Sequence, residues 1–491
     1  TRTLRNFRGK LLHPERIFRI ASWRTSREEP RRPEWLPEGC DVLADGEYDA
    51  IIVGTGLTDC IMSGLLSRMN MKVLHVDRNG YYGGDCASLS LNELFREFSK
   101  TVPEDARSTL GANRDYNVDL VPKFIMACGA LVKILVHTRV EPYLQFKQIS
   151  GSFVVKDGKV QKVPSTPQEA IASSLMGMFE KRRFRTFIIY VAQYKEDDPS
   201  TWEGKDVMNM PMGALFDAFN LDANTQSFVG HAMALHRDDG YLQRPAIETV
   251  RALQLYTSSI EQYGRSPYLY PVWGLGGLPE SFSRLCAVNG GTFMLNCDVQ
   301  EVMTNADGVA WGIKAKFEDK VCAAKARLCV VGDPSYFPAE KVRPTGRVAR
   351  SICILDHPIR GVSGDSGQII VPMREARRNH DIYIAFLGNE HEVAPKNRFI
   401  AIVSTTVETA DPMAELEPGI RLLGNVMERF DAVVETFEPV GSGEDDRMFI
   451  SRSYDATSHF ETVADDVRDM FRRVTGEVLD LSSVGGAENV A

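Results

Sequence analysis

Apolar and polar positions fall into three kinds of pattern along the chain. Tyr48-Asp-Ala-Ile-Ile-Val53 is a strand-length apolar run, and Gly54-Thr-Gly-Leu-Thr-Asp59 follows it. Leu57, Ile61, Gly64, Leu65 and Met69 then recur at helical spacing, and Lys72-Val-Leu-His-Val-Asp77 is the next strand. The pattern predicts a βαβ unit whose second strand closes on an acid. Residues 163–260 differ in kind. Thr166-Pro-Gln-Glu169 is a capping box with proline at the first helical position. Ile171, Leu175, Met178 and Phe179 hold one face, and Phe184, Phe187, Ile188 and Val191 continue it. Leu215 with Phe219, and Phe228 with Ala232 and Leu235, mark further helices. A last one starts after Pro245, keeps Ile247, Val250, Leu253 and Tyr256 on a face, and stops at Gly264. Strand signals return at 292–296, 299–304, 309–317, 326–331, 382–387 and 399–406, before a closing helix at 463–474. The expected class is α/β: a discontinuous sheet domain of residues 47–162 and 261–475, an inserted α-helical domain of residues 163–260, and a flexible C-terminal tail of residues 476–491.

Composition narrows the function classes. A hydrophobic fraction of 43% and a charged fraction of 25% are ordinary for a globular protein, and 491 residues allow two or three domains. No apolar run approaches the roughly 20 residues of a membrane-spanning helix. Residues 1–32 carry ten Lys/Arg and three Glu, +7 within a chain total of −9, so the remainder stands at −16. An acidic body argues against a nucleic-acid binder, whose affinity rests on neutralising phosphates. The first 46 residues, Arg- and Pro-rich without periodicity, read as a disordered or non-native tail, and a chain starting near Asp45 is expected to fold. The nine cysteines form no C-x-x-C pair and no zinc spacing, so buried reduced thiols are expected. His231 and His236 lack a third ligand, and no metal is expected.

The one motif with chemical content is Gly54-x-Gly56. It follows a strand, opens a helix and precedes Asp77 by one βαβ unit, as a dinucleotide site requires. In such sites the glycines admit a pyrophosphate to the helix N-terminus and the acid binds ribose hydroxyls. The third glycine position here is Asp59. A carboxylate there adds negative charge where the pyrophosphate would sit. The reading is a retained fold with lost flavin binding. The competing class, an FAD-dependent oxidoreductase, would have to tolerate Asp59.

Longer stretches are recognisable. Tyr48-Asp-Ala-Ile-Ile-Val-Gly-Thr-Gly-Leu-Thr-Asp-Cys-Ile, Tyr81-Tyr-Gly-Gly84, Asn117-Val-Asp-Leu-Val-Pro-Lys-Phe124 and Leu175-Met-Gly-Met-Phe-Glu-Lys-Arg-Arg-Phe-Arg185 are among them. With Ser266-Pro-Tyr-Leu-Tyr-Pro271, Ser404-Thr-Thr-Val-Glu-Thr409 and Ser453-Tyr-Asp-Ala-Thr457, they resemble the Rab GDP dissociation inhibitor family over about residues 47–475. The resemblance implies a flavoprotein-like fold of the FAD/NAD(P)-binding type without FAD or redox function. It implies a non-catalytic, monomeric, cytosolic chaperone of vesicular transport. Such a chaperone binds prenylated, GDP-bound Rab GTPases, slows GDP release, and moves them off and onto membranes by transient contact. The related Rab escort proteins, which present Rabs to the geranylgeranyltransferase, carry large insertions that this chain lacks.

Site residues follow from the same resemblance. Tyr82, Arg284, Thr292 and Met294 match the family's Rab-binding platform. Gly277 stands where the family usually has an acid, and Glu280 is the candidate replacement. Tyr263, Gly264, Arg265, Ser266, Pro267 and Tyr268 match its mobile effector loop. A pocket for the geranylgeranyl lipid is expected in the helical block, with Met176, Phe179, Phe187, Ile188, Phe219, Phe228 and Leu235 available to line it.

Overall fold

The computed structural model describes residues 32–482; expectations on residues 1–31 and 483–491 lie outside them. The first strand is Asp41–Val53, which begins well before Tyr48. Its apolar end, Ala50–Val53, pairs in parallel with Val73–Val76 on one side and with residues 329–332 on the other. A strand covered on both faces needs no polar alternation, which is why the run IIV is continuous. The earlier half is polar and bulged, and pairs Asp41 and Val42 with Cys322 and Ala323. Ahead of it, Leu36 and Cys40 are buried against Met303 and Ala323, and Trp35 Nε1 donates to Glu47 Oε1 at 2.9 Å. The tail boundary at residue 46 is therefore corrected: residues 32–46 are packed structure, and a chain starting at Asp45 would uncover Met303 and Ala323. Ala44 and Gly46 take positive φ, at 49° and 80°, inside the bulge between Val42 and Glu47.

Two seven-stranded sheets organise the chain. The first runs, in spatial order, Thr292–Met294, Val73–Val76, Asp41–Val53, Lys320–Gly332, Ala310–Phe317 and Cys297–Thr304, with Met448–Ile450 also beside Lys320–Gly332. Its strands at 41–53, 73–76, 292–294, 320–332 and 448–450 pair in parallel. The second runs Glu428–Pro439, Val342–Leu355, Phe399–Thr406, Ile382–Leu387, Gly367–Val371, Gly151–Lys156 and Lys159–Lys162. Helix Leu57–Arg68 packs on the first sheet, joined there by helices Gly277–Val288 and Glu461–Thr475.

Between Lys162 and Tyr268 the chain contains helices and no strand. The main ones are Met178–Gln193, Met212–Ala218, Ala223–Phe228 and Ala246–Tyr263, preceded by the short Pro167–Ala172. The expected cap is present, with Thr166 Oγ1 accepting from Glu169 N at 3.1 Å. The block shares its core with the rest of the molecule. One apolar cluster runs from Ile61 and Leu65 through Phe187, Phe216 and Leu253 to Val467 and Met470. A polar clamp adds to it: His231 Nδ1 lies 2.7 Å from Oδ2 of Asp381, just ahead of strand Ile382–Leu387, and Nε2 3.1 Å from Asp239 Oδ1. Burial opposes charge on this imidazole, but the two carboxylates outweigh it and raise its pKa.

Candidate functional site

The glycine motif stands at the tip of the first strand, and the chain's own side chains fill it. A Cβ on Gly56 would meet Asp59 Oδ2 at 3.0 Å, and one on Gly54 would meet the Tyr336 ring at 3.1 Å and Asp333 Cβ at 3.2 Å. Asp59 thus covers the backbone that a pyrophosphate would have to approach. Its carboxyl is 2% exposed, and Oδ1 has no hydrogen-bond partner among the described residues. Burial first, then the charges of Asp333, Asp77 and Asp466, push its pKa well above the usual carboxylate range. Asp77 is no freer. Its Oδ2 accepts from Thr55 N at 2.7 Å and Thr55 Oγ1 at 2.5 Å, and its Oδ1 from Asn79 N at 2.7 Å and Tyr336 Oη at 3.2 Å. Both oxygens that would hold a ribose are already occupied. The cavity left over is about 170 Å³ and is ringed by Asp59, Asp77, Asp85 and Asp333. These residues do not fit a flavin dinucleotide.

A second region lies at the rim of the first sheet. Tyr82 packs edge-on against Phe293, ring centroids 5.8 Å apart. With Tyr143, Trp273, Gly277 and Glu280 it lines an open cleft of about 680 Å³. The Arg284 guanidinium lies 4.4 Å over the Tyr143 ring, so Tyr82, Glu280 and Arg284 come together on one surface. Thr292 and Met294 do not face it. They alternate with Phe293 on the edge strand, which turns them to the opposite face, where Met294 packs with Leu74 and Val76. Phe293, Tyr143 and Trp273 are the residues that sequence reasoning missed. Trp273, 53% exposed, was detectable only as a tryptophan amid loop glycines. Gly277 opens helix Gly277–Val288, and a Cβ there would touch only Leu144, at an ordinary 3.4 Å.

The expected effector loop shrinks. Gly264 caps the helix Ala246–Tyr263 with φ +85°, and only it and Arg265 are exposed, with Tyr263 half-buried. Ser266, Pro267 and Tyr268 are interior: Ala127 N donates to Pro267 O at 2.9 Å, and Tyr268 begins a strand paired with Met126. The backbone hydrogen bonds of the last three residues are committed to the core, so the exposed turn ends at Arg265.

The third region is an apolar cavity of about 730 Å³ between helices Pro167–Ala172, Met178–Gln193 and Ala246–Tyr263. Met176 and Ile188 line it, with Phe184, Ile189, Met233 and Ile260, which the sequence reading did not name as lining. The other expected lining residues are elsewhere. Phe187 is fully buried on the opposite face of its helix, edge-to-face with Phe216 and Phe219 at 5.5 and 5.4 Å. Phe228 is buried against Phe184. Leu235 borders a separate cleft that reaches Leu479 and Leu481. Phe179 is 82% exposed.

Among the described residues, no helix is long and apolar enough to cross a membrane, and no group of three or more His, Cys, Asp or Glu is arranged to hold a metal. All nine cysteines are free thiols.

Comparison with known proteins gives these regions a context. A family model described as GDP dissociation inhibitor matches residues 44–485. The "Probable secretory pathway GDP dissociation inhibitor 1" of Schizosaccharomyces pombe is 51% identical over 438 residues, covering 89% of this chain and 98% of the relative. The crystal structure of a Rab GDI from Plasmodium falciparum superposes with a TM-score of 0.83 at 41% identity, covering 89% of this chain and 99% of that one. An oxidoreductase from Methanosarcina mazei, 16% identical with a TM-score of 0.56 over 86% of this chain and 99% of its own, shares the fold alone. The flavoprotein-like architecture is therefore real, and it is carried by a chain that belongs to the GDP dissociation inhibitor family.

Proposed function

We propose that this chain is a Rab GDP dissociation inhibitor that binds prenylated, GDP-bound Rab GTPases without catalysing a reaction, and shuttles them between cytosol and membranes in vesicular transport. The observation that carries the reading is the apolar cavity of about 730 Å³ in the helical block, within the ~300–1,000 Å³ typical of small-ligand sites. A prenyl chain is held in a bilayer by about 0.8 kcal/mol per buried CH₂, so removing it from the membrane requires an apolar shelter of this kind. The GTPase itself is met by the Tyr82, Glu280 and Arg284 rim, whose aromatic and arginine side chains are the types that dominate interfaces. The nucleotide state is read there, through switch segments that rearrange with GDP or GTP. Two modest sites joined through one ligand reinforce each other by effective concentration. Action without FAD agrees with a nucleotide remnant closed by Asp59 and Tyr336. The test is extraction of Rabs from isolated membranes. The purified chain is expected to release them when they carry GDP and to leave them when they carry a non-hydrolysable GTP analogue. Equal release in both states, or none, would overturn the reading.

A further inference from the structure

The sequence reading placed Phe179 inside a lipid pocket, and the structure puts it outside. Met178 and Phe179, the first two residues of helix Met178–Gln193, are 84% and 82% exposed, and Ile189 is 43% exposed. An adjoining apolar pair this bare is unusual on a protein surface and marks a contact site. Met178, Arg182, Arg185 and Ile189 recur at spacings of four, three and four, which aligns them in one stripe along the solvent side. The opposite side buries Phe187, Tyr190 and Val191. Arg183 leaves the stripe, its guanidinium bonded to Glu180 Oε2 and Asn220 O. Arg182 and Arg185 are exposed and enter no salt bridge among the described residues.

The stripe also borders the mouth of the apolar cavity, whose lining includes Lys181, Arg182, Arg185 and Ile189 against a single acid, Glu261. The chain as a whole is acidic, at −9, so this concentration of cations is local. Phe179, about 100° round the axis from Met178, stands beside the stripe at the same bare end of the helix. An exposed Met–Phe pair at the end of an Arg-bearing stripe is the chemistry of an element that lies in a bilayer interface. The apolar side chains enter the acyl boundary and the cations meet anionic headgroups.

We propose that the solvent face of helix Met178–Gln193 docks on an anionic phospholipid bilayer, with Met178 and Phe179 inserted and Arg182 and Arg185 on the headgroups. The inference rests on the lipid-cargo reading above: docking here sets the cavity mouth against the membrane, so a lipid passes between bilayer and cavity without crossing water.

Vesicle flotation of the cargo-free full chain tests it, using phosphatidylcholine vesicles with and without phosphatidylserine. The parent is expected to float with the anionic vesicles and not the neutral ones, and to lose the association as salt rises. Met178→Ser/Phe179→Ser and Arg182→Glu/Arg185→Glu are expected to lower binding to anionic vesicles by about tenfold or more, as loss of interfacial anchors should. All four positions are exposed, so both variants should melt at the parental temperature, and the N-terminal basic segment is common to all three proteins. Parental binding by either double variant overturns the proposal, as does equal parental binding to neutral vesicles or none to anionic ones. A concentration-dependent dimer lost in the Met178/Phe179 variant would also overturn it, by assigning the face to a second copy. Binding to a GDP-loaded, unprenylated Rab in solution should be unaffected. Loss of Rab binding in the parent would instead count against the proposed function and leave the vesicle result standing.

Discussion

The nucleotide remnant and the helical cavity are both open concavities in one molecule, but they differ in size and lining. At the remnant, the space between strand and glycine turn is narrowed by Asp59, Asp333 and Tyr336, and what remains is about 170 Å³ with a polar lining in which Asp59, Asp77, Asp85 and Asp333 stand with Arg78 and Arg452. In the helical block, about 730 Å³ is lined by Met176, Phe184, Ile188, Met233 and Ile260. The comparison separates what the fold requires from what a ligand would require. The βαβ geometry needs the glycines and the parallel pairing, which are kept, while ligand binding needs open N–H groups and a free acid, which are gone. The larger, apolar space lies where helices, rather than sheet, form the wall.

If that contrast is right, a carboxylate that is native at position 59 should be ruinous at position 188. Ile188→Asp, at a half-buried lining position, is expected to reduce membrane extraction of prenylated Rab by about 100-fold, since an apolar ligand cannot solvate a buried charge. Binding of the unprenylated GTPase should hold, because the rim is separate. The rim comes next in size. Tyr82→Ala or Arg284→Ala should cost about 2 kcal/mol of binding to either form of the GTPase by calorimetry, with a nearly unchanged melting temperature.

The acidic remnant predicts a gain. Asp59 has a folded-state pKa raised by burial and neighbouring carboxylates, so the unfolded chain ionises first. Its charge therefore destabilises the fold at neutral pH, and the penalty fades as pH falls through the raised value towards the unfolded carboxylate value of about 3.9. Asp59→Asn should raise unfolding stability by about 1 kcal/mol at pH 7, and the gain should vanish below about pH 4 in denaturant titrations. Asp59→Gly should still purify colourless, because Asp333 and Tyr336 continue to close the site. The smallest effect is expected at Gly277. A Cβ there meets only Leu144, at 3.4 Å, and the residue lies in the first helical turn, so Gly277→Glu should stabilise the fold by about 0.5 kcal/mol in denaturant titrations.

Much of the fold was legible, and the failures have physical causes. Strands 382–387 and 399–406 coincide with the observed ones, and the closing helix extends only two residues earlier and one later than expected. They are buried runs or strongly amphipathic stretches, where the pattern follows directly from the environment. Glu428–Pro439 escaped notice because it is an edge strand with one fully buried residue, Phe430, and little apolar signal. Helix Gly277–Val288 begins Gly-Leu-Pro, which reads as a loop. At the site, periodicity identified Met178–Gln193 as helical but could not separate two apolar faces. Phe187 and Ile188 differ by about 100° around the axis, and only the neighbouring helices decide that the first meets Phe216 and the second the cavity. The same ambiguity put Phe179 inside. Thr292 and Met294 came from the family resemblance instead, and the alternation of the edge strand turns them away from the side on which Phe293 meets Tyr82. The glycine motif was legible from its spacing, and Asp59 at its third position does lie against Gly56, whereas Asp333 and Tyr336 come from too far along the chain for the motif to announce them.

The most direct test of the account is to locate the lipid. A Rab carrying a photoactivatable geranylgeranyl analogue, loaded with GDP, can be bound to the full chain, irradiated, and the crosslinked peptides identified by mass spectrometry. The account predicts crosslinks in the helical block, at the segments holding Met176, Phe184, Ile188 and Ile260. Crosslinks at Gly54–Asp59, Tyr336 or Tyr454, around the old dinucleotide site, would contradict it.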